Sequence, residues 1–281
     1  MRPQDPPAVS AHTADTQTWP VRWPVLRACW THQAFVHWPY PPAEVRSLLP
    51  SGLRVDTFQG RAWVSLTPFV MESVSVMGVP LPHRTFPETN LRTYVRLADQ
   101  DGPPGVWFFT LEAGNPLMLA GWALGIPYHW ADLRVRSAGP EHRYTGRRRA
   151  GGPSYRLTVR TGLAVPATGL HAWLTDRSRA YSYRAGILWN TPVQHEAWPL
   201  RRATLTDLEE NLSRCAGLTP PSTEPLTHTS PGVCPVLFGP PRPATSGRAP
   251  APEPNGSPFL RGRRGLGAPR SGAGAAPRRN R

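Results

Sequence analysis

The stretch that decides the fold is Phe86-Pro87-Glu88-Thr89-Asn90-Leu91-Arg92-Thr93-Tyr94-Val95-Arg96-Leu97. Its threonine, valine and tyrosine content favours a β-strand, and the side chains of a strand alternate between its two sides. The mostly apolar side carries Thr89, Leu91, Thr93, Val95 and Leu97. The polar side carries Glu88, Asn90, Arg92, Tyr94 and Arg96. A polar side of this kind either faces water on an antiparallel sheet or lines a pocket.

The flanking segments predict a chain that is rich in strands. Residues 26–40 are apolar and aromatic, Gln59-Gly60 favours a tight hairpin, and residues 106–112 predict a central strand antiparallel to the opening one. Short helices are predicted near residues 41–49, 115–125, 168–177 and 206–217, the last from the capping box Thr206-Asp207-Leu208-Glu209. Short strands are also expected near residues 184–190 and 195–200. The fold class is therefore α+β and β-rich, with an antiparallel sheet curled into a cone-like barrel and a few short helices.

Composition divides the chain into three parts. Residues 1–18 are polar and proline-rich and predict a disordered leader, whereas residues 19–243 predict a single domain. Residues 244–281 contain 6 Pro, 7 Gly and 8 Arg but one acidic residue, and they predict a disordered tail.

The net charge of +14 raises the question of a nucleic-acid partner. Half of the excess belongs to the tail, with 8 − 1 = +7, and half to residues 1–243, with 24 − 17 = +7. The tail could contact nucleic acid or an anionic surface, or it could be a solvated extension. A basic loop with Arg143 and Arg147–Arg149 is open to the same alternatives of phosphate contact or a solvated turn.

The chain contains no lysine, so all 32 of its basic residues are arginine. Arginine stays protonated in proteins and therefore cannot act as an amine nucleophile. Schiff-base chemistry by a lysine of this chain is excluded.

The cysteines and histidines give no sign of a metal or cofactor site. Cys29, Cys215 and Cys234 are widely spaced and form no even disulfide framework, which favours a reducing, cytoplasmic setting. The nine histidines are scattered, so no metal and no cofactor are expected. The longest apolar run, residues 116–128, is shorter than the roughly 20 residues that span a bilayer.

The central strands resemble those of a known family. Phe86-x-Glu88-x-Asn90-x-Arg92-Thr93-Tyr94-Val95 and Gly105-Val106-Trp107-Phe108-Phe109-x-Leu111-x-Ala113 are similar to a motif of the uncharacterised YqjF-like proteins of the acetoacetate decarboxylase-like superfamily. Further similar stretches are Leu49-Pro50-x-Gly52-Leu53, Leu174-Thr175-Asp176-Arg177, Trp198-Pro199-Leu200 and His228-x-Ser230-Pro231-Gly232-Val233. The resemblance covers roughly residues 19–243.

The resemblance implies a β-rich, cone-like barrel with an internal pocket. In the decarboxylases a Gly-x-Pro-Lys-Lys element supplies the Schiff-base lysine. The similar element here is Gly125-Ile126-Pro127-Tyr128-His129, so that Tyr128 and His129 stand in place of the two lysines. Glu88 matches an acidic residue of the decarboxylase pocket.

These residues define the expected site. Asn90, Arg92 and Tyr128 would bind a small carboxylate or oxo acid, since arginine grips carboxylates bidentately. Glu88 and His129 would be the catalytic acid–base residues. The alternatives are a buried network that satisfies its own hydrogen bonds, and for His129 a structural or surface role. A non-catalytic binding protein with a basic tail is the competing function, and whether the chain is an enzyme stays open.

Overall fold

The structure is a computed structural model that describes residues 20–98, 104–149 and 151–244. Strands dominate it: β1 (Leu26–Tyr40), β2 (Leu53–Val55), β3 (Ala62–Val76), β4 (Val79–Pro80), β5 (Phe86–Leu97), β6 (Gly105–Ala113), β7 (Tyr128–Ala138), β8 (Glu141–Arg148), β9 (Ser154–Ala164), β10 (Arg179–Arg184), β11 (Ile187–Gln194), β12 (Arg201–Glu210), β13 (Leu226–Phe238) and β14 (Arg242–Pro243). The helices of the described ranges are α1 (Pro42–Arg46), α2 (Leu170–Thr175), α3 (Leu212–Cys215) and a 3₁₀ helix (Pro116–Leu124). The predicted leader and nearly all of the predicted tail lie outside the described residues.

The strands form one large, curled, mixed sheet in the order β14-β11-β10-β6-β7-β8-β9-β12-β13-β1-β3-β5-β2, with β4 added beside β3. β5 also pairs with β6, and β11 also pairs with β13, so two additional pairings join strands that are far apart in this order. β6 runs parallel to β7 and β10, and the 3₁₀ helix lies in the connection from β6 to β7. The prediction of a strand-rich α+β fold is confirmed.

Strand β5 matches the predicted boundaries and lies between β3 and β6. Its apolar side joins a hydrophobic cluster in which Leu91 packs with Leu66 of β3 and Leu157 of β9. Its polar side is also buried, since Glu88 is only 4% exposed and Asn90 5%. The polar side therefore faces the protein interior and not water, because sheet strands flank β5 on both edges and protein covers both of its faces.

The prediction of a basic loop around Arg143 is wrong. This segment is β8, and it pairs with β7 on one edge and β9 on the other. Its arginines alternate with buried Tyr144 and Gly146, which is the period of a half-buried strand. Strand partners on both edges hold this arginine-rich segment in the sheet.

The helix predicted from the capping box at Thr206 is also wrong. Residues 201–210 form β12, which pairs with β9, and the four-residue helix α3 follows it. Asp207 and Glu209 each form an ion pair with Arg156 of β9. The acidic residues serve these cross-strand contacts, whereas the helix prediction assigned them to a helix N-terminus. Residues 195–200, predicted as a strand, lie outside the strands of the structure.

Cys29 and Cys234 contradict the expectation that no disulfide forms. They lie on the neighbouring strands β1 and β13 and are joined in a disulfide, although 205 residues separate them in sequence. Cys215 is a free thiol. The sequence spacing could not reveal this pair, because the pairing of β1 with β13 is what brings the two residues together.

No helix of the described segments is long and apolar enough to cross a membrane.

Candidate functional site

The polar side of β5 continues across the neighbouring strands as one buried surface. Glu88, Asn90 and Arg92 lie opposite Phe69, Thr67 and Ser65 of β3. Ser65 in turn lies opposite His37 of β1. Directly opposed residues of an antiparallel pair point to the same side of the sheet, so these polar side chains share one surface. We call Glu88, Asn90, Arg92, Ser65, Thr67, His37, Tyr94 and Tyr128 the inner polar face.

At one end of the inner polar face, Tyr128 Oη donates a hydrogen bond to Glu88 Oε2 over 3.3 Å. Burial raises the pKa of the Glu88 carboxyl to about 8, and the hydrogen bond from Tyr128 opposes that rise only in part. Burial, followed by the charge of Glu88, raises the pKa of Tyr128 well above its usual value. Glu88 is therefore mostly protonated at neutral pH and can donate a proton or a hydrogen bond.

The 3₁₀ helix before β7 sets the position of Tyr128. The helix ends at Gly125, whose φ of 74° is in the left-handed region that glycine adopts easily. A Cβ at Gly125 would lie 2.4 Å from the carbonyl oxygen of Tyr183. A Cβ at Gly121 would lie 2.8 Å from the Tyr128 ring, and Trp122 Nε1 donates to the Tyr128 carbonyl over 2.6 Å. The turn and these close approaches fix the ring beside Glu88.

At the other end, His37 belongs to a chain of hydrogen bonds. His37 Nδ1 lies 2.6 Å from Ser65 Oγ, and Ser65 Oγ lies 2.7 Å from Tyr94 Oη. Tyr94 Oη donates to the Leu174 carbonyl over 2.8 Å. Because the tyrosine proton is used on Leu174, Ser65 donates to Tyr94 and accepts from the Nδ1–H of His37. This network assigns the Nδ1–H tautomer to a neutral His37.

The second nitrogen of His37, Nε2, is buried and has no hydrogen-bond partner among the described residues. Burial lowers the pKa of His37 well below its usual value, and the charges of His228 and Arg92 lower it further. The imidazole is therefore neutral at physiological pH. It offers an unused lone pair, which is the requirement for a general base.

Arg92 is half-buried and forms no hydrogen bond or ion pair with any residue that the structure describes. Its Nε is buried without a partner, and its Cζ lies 5.8 Å from the centre of the Phe35 ring. A partly buried guanidinium without a counter-charge is costly, so its donors are available for an anion. A carboxylate fits these donors in a bidentate pair.

Asn90 lies between the two ends, about 6.6 Å along the strand from both Glu88 and Arg92. Its side-chain oxygen accepts a hydrogen bond from Thr67 Oγ1. This bond fixes the amide so that its NH₂ group is the part left to meet a ligand.

His129 lies on the opposite side of the sheet from Tyr128. It is opposite Glu112 in the parallel pairing of β7 with β6, near Arg148, which contacts Glu112 Oε1 over 2.6 Å. Burial, followed by the charge of Arg148, lowers the pKa of His129. The structure thus brings Glu88, Asn90, Arg92 and Tyr128 onto one surface, and it separates His129 from them.

Sequence analysis did not place His37 or Ser65 in the expected site. His37 and Phe35 are two positions apart in a strand, so alternation would put their side chains on the same side, and this was the signal that the sequence contained. The position of His37 across from Ser65 and Arg92 depends on the register of three strands and could not be read from sequence.

The described ranges contain no group of three or more His, Cys, Asp and Glu side chains suited to a metal ion. His171 Nδ1 and His228 Nε2 are 2.8 Å apart, so each nitrogen is the hydrogen-bond partner of the other. Three surface grooves lie along β7, β8 and β9 and the loops beside them, and the inner polar face contributes no residue to them.

Solved structures with the same fold are acetoacetate decarboxylase-like. The enduracididine biosynthesis enzyme MppR complexed with pyruvate has a TM-score of 0.56 and 16% identity, over 79% of this chain and 91% of the other. An acetoacetate decarboxylase-like enzyme from Sphingomonas wittichii RW1 has a TM-score of 0.54 and 15% identity, over 83% and 97%. Acetoacetate decarboxylase from Legionella pneumophila has a TM-score of 0.55 and 12% identity, over 82% and 90%. At these identities the likeness establishes the fold.

The chain is thus a protein of the acetoacetate decarboxylase-like fold class. Within that class it belongs to the DUF2071 family of uncharacterized conserved proteins, whose model matches residues 27–234. A relative is the uncharacterized protein YqjF of Bacillus subtilis (strain 168), which is 31% identical over 212 residues, 73% of this chain and 86% of the relative. The family resemblance inferred from the sequence is confirmed.

Proposed function

We propose that this protein binds a small carboxylate or oxo acid on the inner polar face, with Arg92 holding the carboxylate. The observation that carries the proposal is the buried, unpartnered Nε of Arg92 on the same surface as the free Nε2 of His37. A structural neighbour, the enzyme MppR, is complexed with pyruvate, which is an oxo acid of this class.

The two ends of the inner polar face suit different parts of such a ligand. Arg92 lies four positions after Glu88 along β5, which is about 13 Å between their Cα atoms. With the carboxylate on Arg92, a ligand oxygen further along the molecule would meet the Glu88–Tyr128 pair. A ligand longer than pyruvate spans this distance better than pyruvate does.

The chemistry that the face supports is acid–base chemistry without a covalent amine intermediate. The neutral Nε2 of His37, near the Arg92 end of the face, would accept a proton from the carbon next to the carbonyl of a 2-oxo acid whose carboxylate lies on Arg92. The protonated carboxyl of Glu88 would donate a hydrogen bond to an oxygen at the far end of a longer ligand. This assigns the base to His37 and makes Glu88 a donor at neutral pH. No Schiff base forms through a side chain, because the chain contains no lysine.

Isothermal titration of the full chain with a series of 2-oxo acids, from pyruvate to 2-oxoglutarate, tests the proposal. Arg92→Gln should weaken binding at least about tenfold, since a charge-assisted bidentate contact contributes about 1.5–3 kcal/mol. Arg27→Gln, at an exposed position of β1, is the matched control and should change affinity less than about twofold. Equal affinities for wild type and Arg92→Gln would refute the assignment of Arg92.

The cytoplasmic location is part of this proposal, because the oxo acids that the site suits are metabolites of the cell interior. A reducing compartment would hold Cys29 and Cys234 as thiols. Alkylation of these cysteines in intact cells, followed by mass spectrometry, tests the location. A fully oxidised pair in cells would contradict it.

A further inference from the structure

The outer side of β7 and β8 carries four exposed arginines, Arg134, Arg136, Arg143 and Arg147, which we call the arginine face. None of them has an ion pair or a side-chain hydrogen bond to another residue within the described ranges. The register places Arg134 opposite Thr145, and Arg136 directly opposite Arg143. The inner polar face is built from other residues, so the arginine face is a separate feature of the protein.

The pair Arg136–Arg143 is the most unusual part of the arginine face. Like charges directly opposite each other in an antiparallel pair destabilise the sheet. These two residues also line a surface groove of about 260 Å³ together with Arg134 and Thr145. A groove lined by positive charges that repel one another is electrostatically suited to binding an anion.

Three acidic residues nearby already have partners. Asp132 pairs with Arg149, while Asp207 and Glu209 pair with Arg156. Asp132 also lies directly opposite Arg147 across the β7–β8 pair, so the charge that these three carboxylates leave uncompensated is that of Arg134, Arg136 and Arg143. Their positive charge is available to a ligand.

The cationic surface extends beyond a single anion. A second groove, of about 390 Å³, shares Arg134 and Thr145 with the first and continues to Arg147, Arg156 and Ser154, and Asp132 and Glu209 also line it. From Arg136 back to Trp130 the surface follows six residues of β7, which is about 20 Å. Trp130 is 39% exposed, and Arg149 Cζ lies 4.2 Å from the centre of its ring.

We propose that the arginine face binds single-stranded nucleic acid through its phosphates. Arginine matches phosphate oxygens in bidentate pairs, and the hydroxyl groups of Thr145 and Ser154 supply further donors along the grooves. Trp130 at the end of the row offers an aromatic ring on which a base can stack. A linear chain of phosphates uses the whole row of arginines, whereas a single small anion would use one end of it.

A membrane surface suits this face less well. Surface-binding elements combine basic residues with apolar side chains that insert between lipids. Between Arg136 and Arg147 the positions that face outward hold Thr145 and charged residues, and the neighbouring strand β9 adds the half-buried Ser154. The hydroxyl-bearing side chains favour a hydrated phosphate backbone.

Fluorescence anisotropy of the full chain with a labelled oligodeoxythymidylate, over a range of salt concentrations, tests the proposal. Arg136→Gln combined with Arg143→Gln should reduce affinity about tenfold at low salt. It should also make the slope of log K against log[salt] less negative by about 1.4, since each phosphate contact to a single strand contributes about 0.7. Replacing the same two residues by lysine should retain most of the salt slope.

The matched control is Arg27→Gln combined with Arg214→Gln, which removes two exposed charges elsewhere and should change affinity less than about twofold. An equal loss in both pairs of variants would overturn the assignment, because binding would then follow net charge alone. Failure of the wild type to bind the oligonucleotide, or binding of polyglutamate or anionic vesicles in its place, would overturn the proposal as well. A thermal melt of each variant checks that it is folded.

Discussion

The Oη of Tyr128 lies 3.3 Å from Oε2 of Glu88, inside a sheet that buries both side chains. Glu88 lies on β5 and Tyr128 begins β7, and β6 lies between these two strands. A tyrosine cannot form a Schiff base, but with a protonated carboxyl it makes a hydrogen-bonding pair for a ligand oxygen.

The first prediction concerns the pH dependence that Glu88 imposes on stability. Its pKa is about 8 in the folded protein against 4.5 for the free side chain, so the unfolded state loses its proton first as pH rises. Stability is therefore fully present below about pH 4.5 and is lost progressively towards pH 8. Glu88→Gln should remove a cost of up to about 3 kcal/mol at pH 7.

Urea unfolding of wild type and Glu88→Gln between pH 5 and pH 8 (~1-unit steps) checks this prediction. The stability difference between the two proteins should grow as pH rises. A difference that does not change with pH would show that Glu88 is ionised in the folded protein.

The second prediction concerns the buried histidines, whose effect has the opposite sign. Burial, followed by the charges of His171 and Arg202, lowers the pKa of His228 from 6.5 to about 4. The unfolded state then binds more protons between these pH values, so stability falls as pH falls through this window. His228→Gln should remove up to about 3 kcal/mol of that loss at pH 4. Thermal melts of both proteins at pH 7 and pH 5 measure it, and parallel losses of Tm would refute the role of His228.

The third prediction concerns the turn that positions Tyr128. Gly125→Ala adds a Cβ that would lie 2.4 Å from the Tyr183 carbonyl oxygen, at a residue with φ of 74°. We expect a loss of about 3 kcal/mol, of which strain in the left-handed conformation supplies about 1–2 kcal/mol. Gly139→Ala is the matched control, because its φ is 58° but nothing lies within 4 Å of the added Cβ.

Chemical denaturation of the two glycine variants separates the contributions. The Gly139 variant should lose about 1–2 kcal/mol, the cost of the backbone conformation alone. Equal losses in the two variants would mean that the chain near Tyr183 moves without cost.

The fourth prediction concerns the repulsion between Arg136 and Arg143. Arg136→Glu places opposite charges across the β7–β8 pair, and it should stabilise the protein by about 0.5 kcal/mol at low salt. Arg134→Glu, which faces the neutral Thr145, serves as the comparison and should gain less. Thermal melts should show that the difference between these variants shrinks as salt increases. A variant at Arg136 no more stable than the one at Arg134 would remove the argument from like charges.

Local patterns predicted much of the architecture. The apolar, aromatic run predicted residues 26–40 as β1, and composition and alternation predicted residues 86–97 as β5, whose two sides are separated as predicted. The local pattern could not show whether protein covers one side of β5 or both sides. Both sides of β5 are buried, because the sheet closes on itself through strands distant in sequence.

The candidate site was predicted in part. Glu88, Asn90 and Arg92 follow from the alternation in a single strand, but His37 joins them only through the register of β1, β3 and β5. The separation of His129 from Tyr128 was within reach of sequence analysis, because adjacent residues of a strand point to opposite sides. The catalytic role predicted for His129 rested on the family resemblance of the Gly125–His129 element and did not take this alternation into account. The disulfide of Cys29 and Cys234 and the strand at residues 201–210 likewise depend on distant pairing.

The central claim is that a carboxylate ligand lies on Arg92. A crystal structure of the full chain soaked with the 2-oxo acid that binds best in calorimetry tests this claim most directly. The claim predicts electron density for the carboxylate at about 3 Å from the guanidinium of Arg92, with the ligand extending along β5 towards Glu88. Density for the bound acid elsewhere on the protein, with the guanidinium of Arg92 left free, would contradict it.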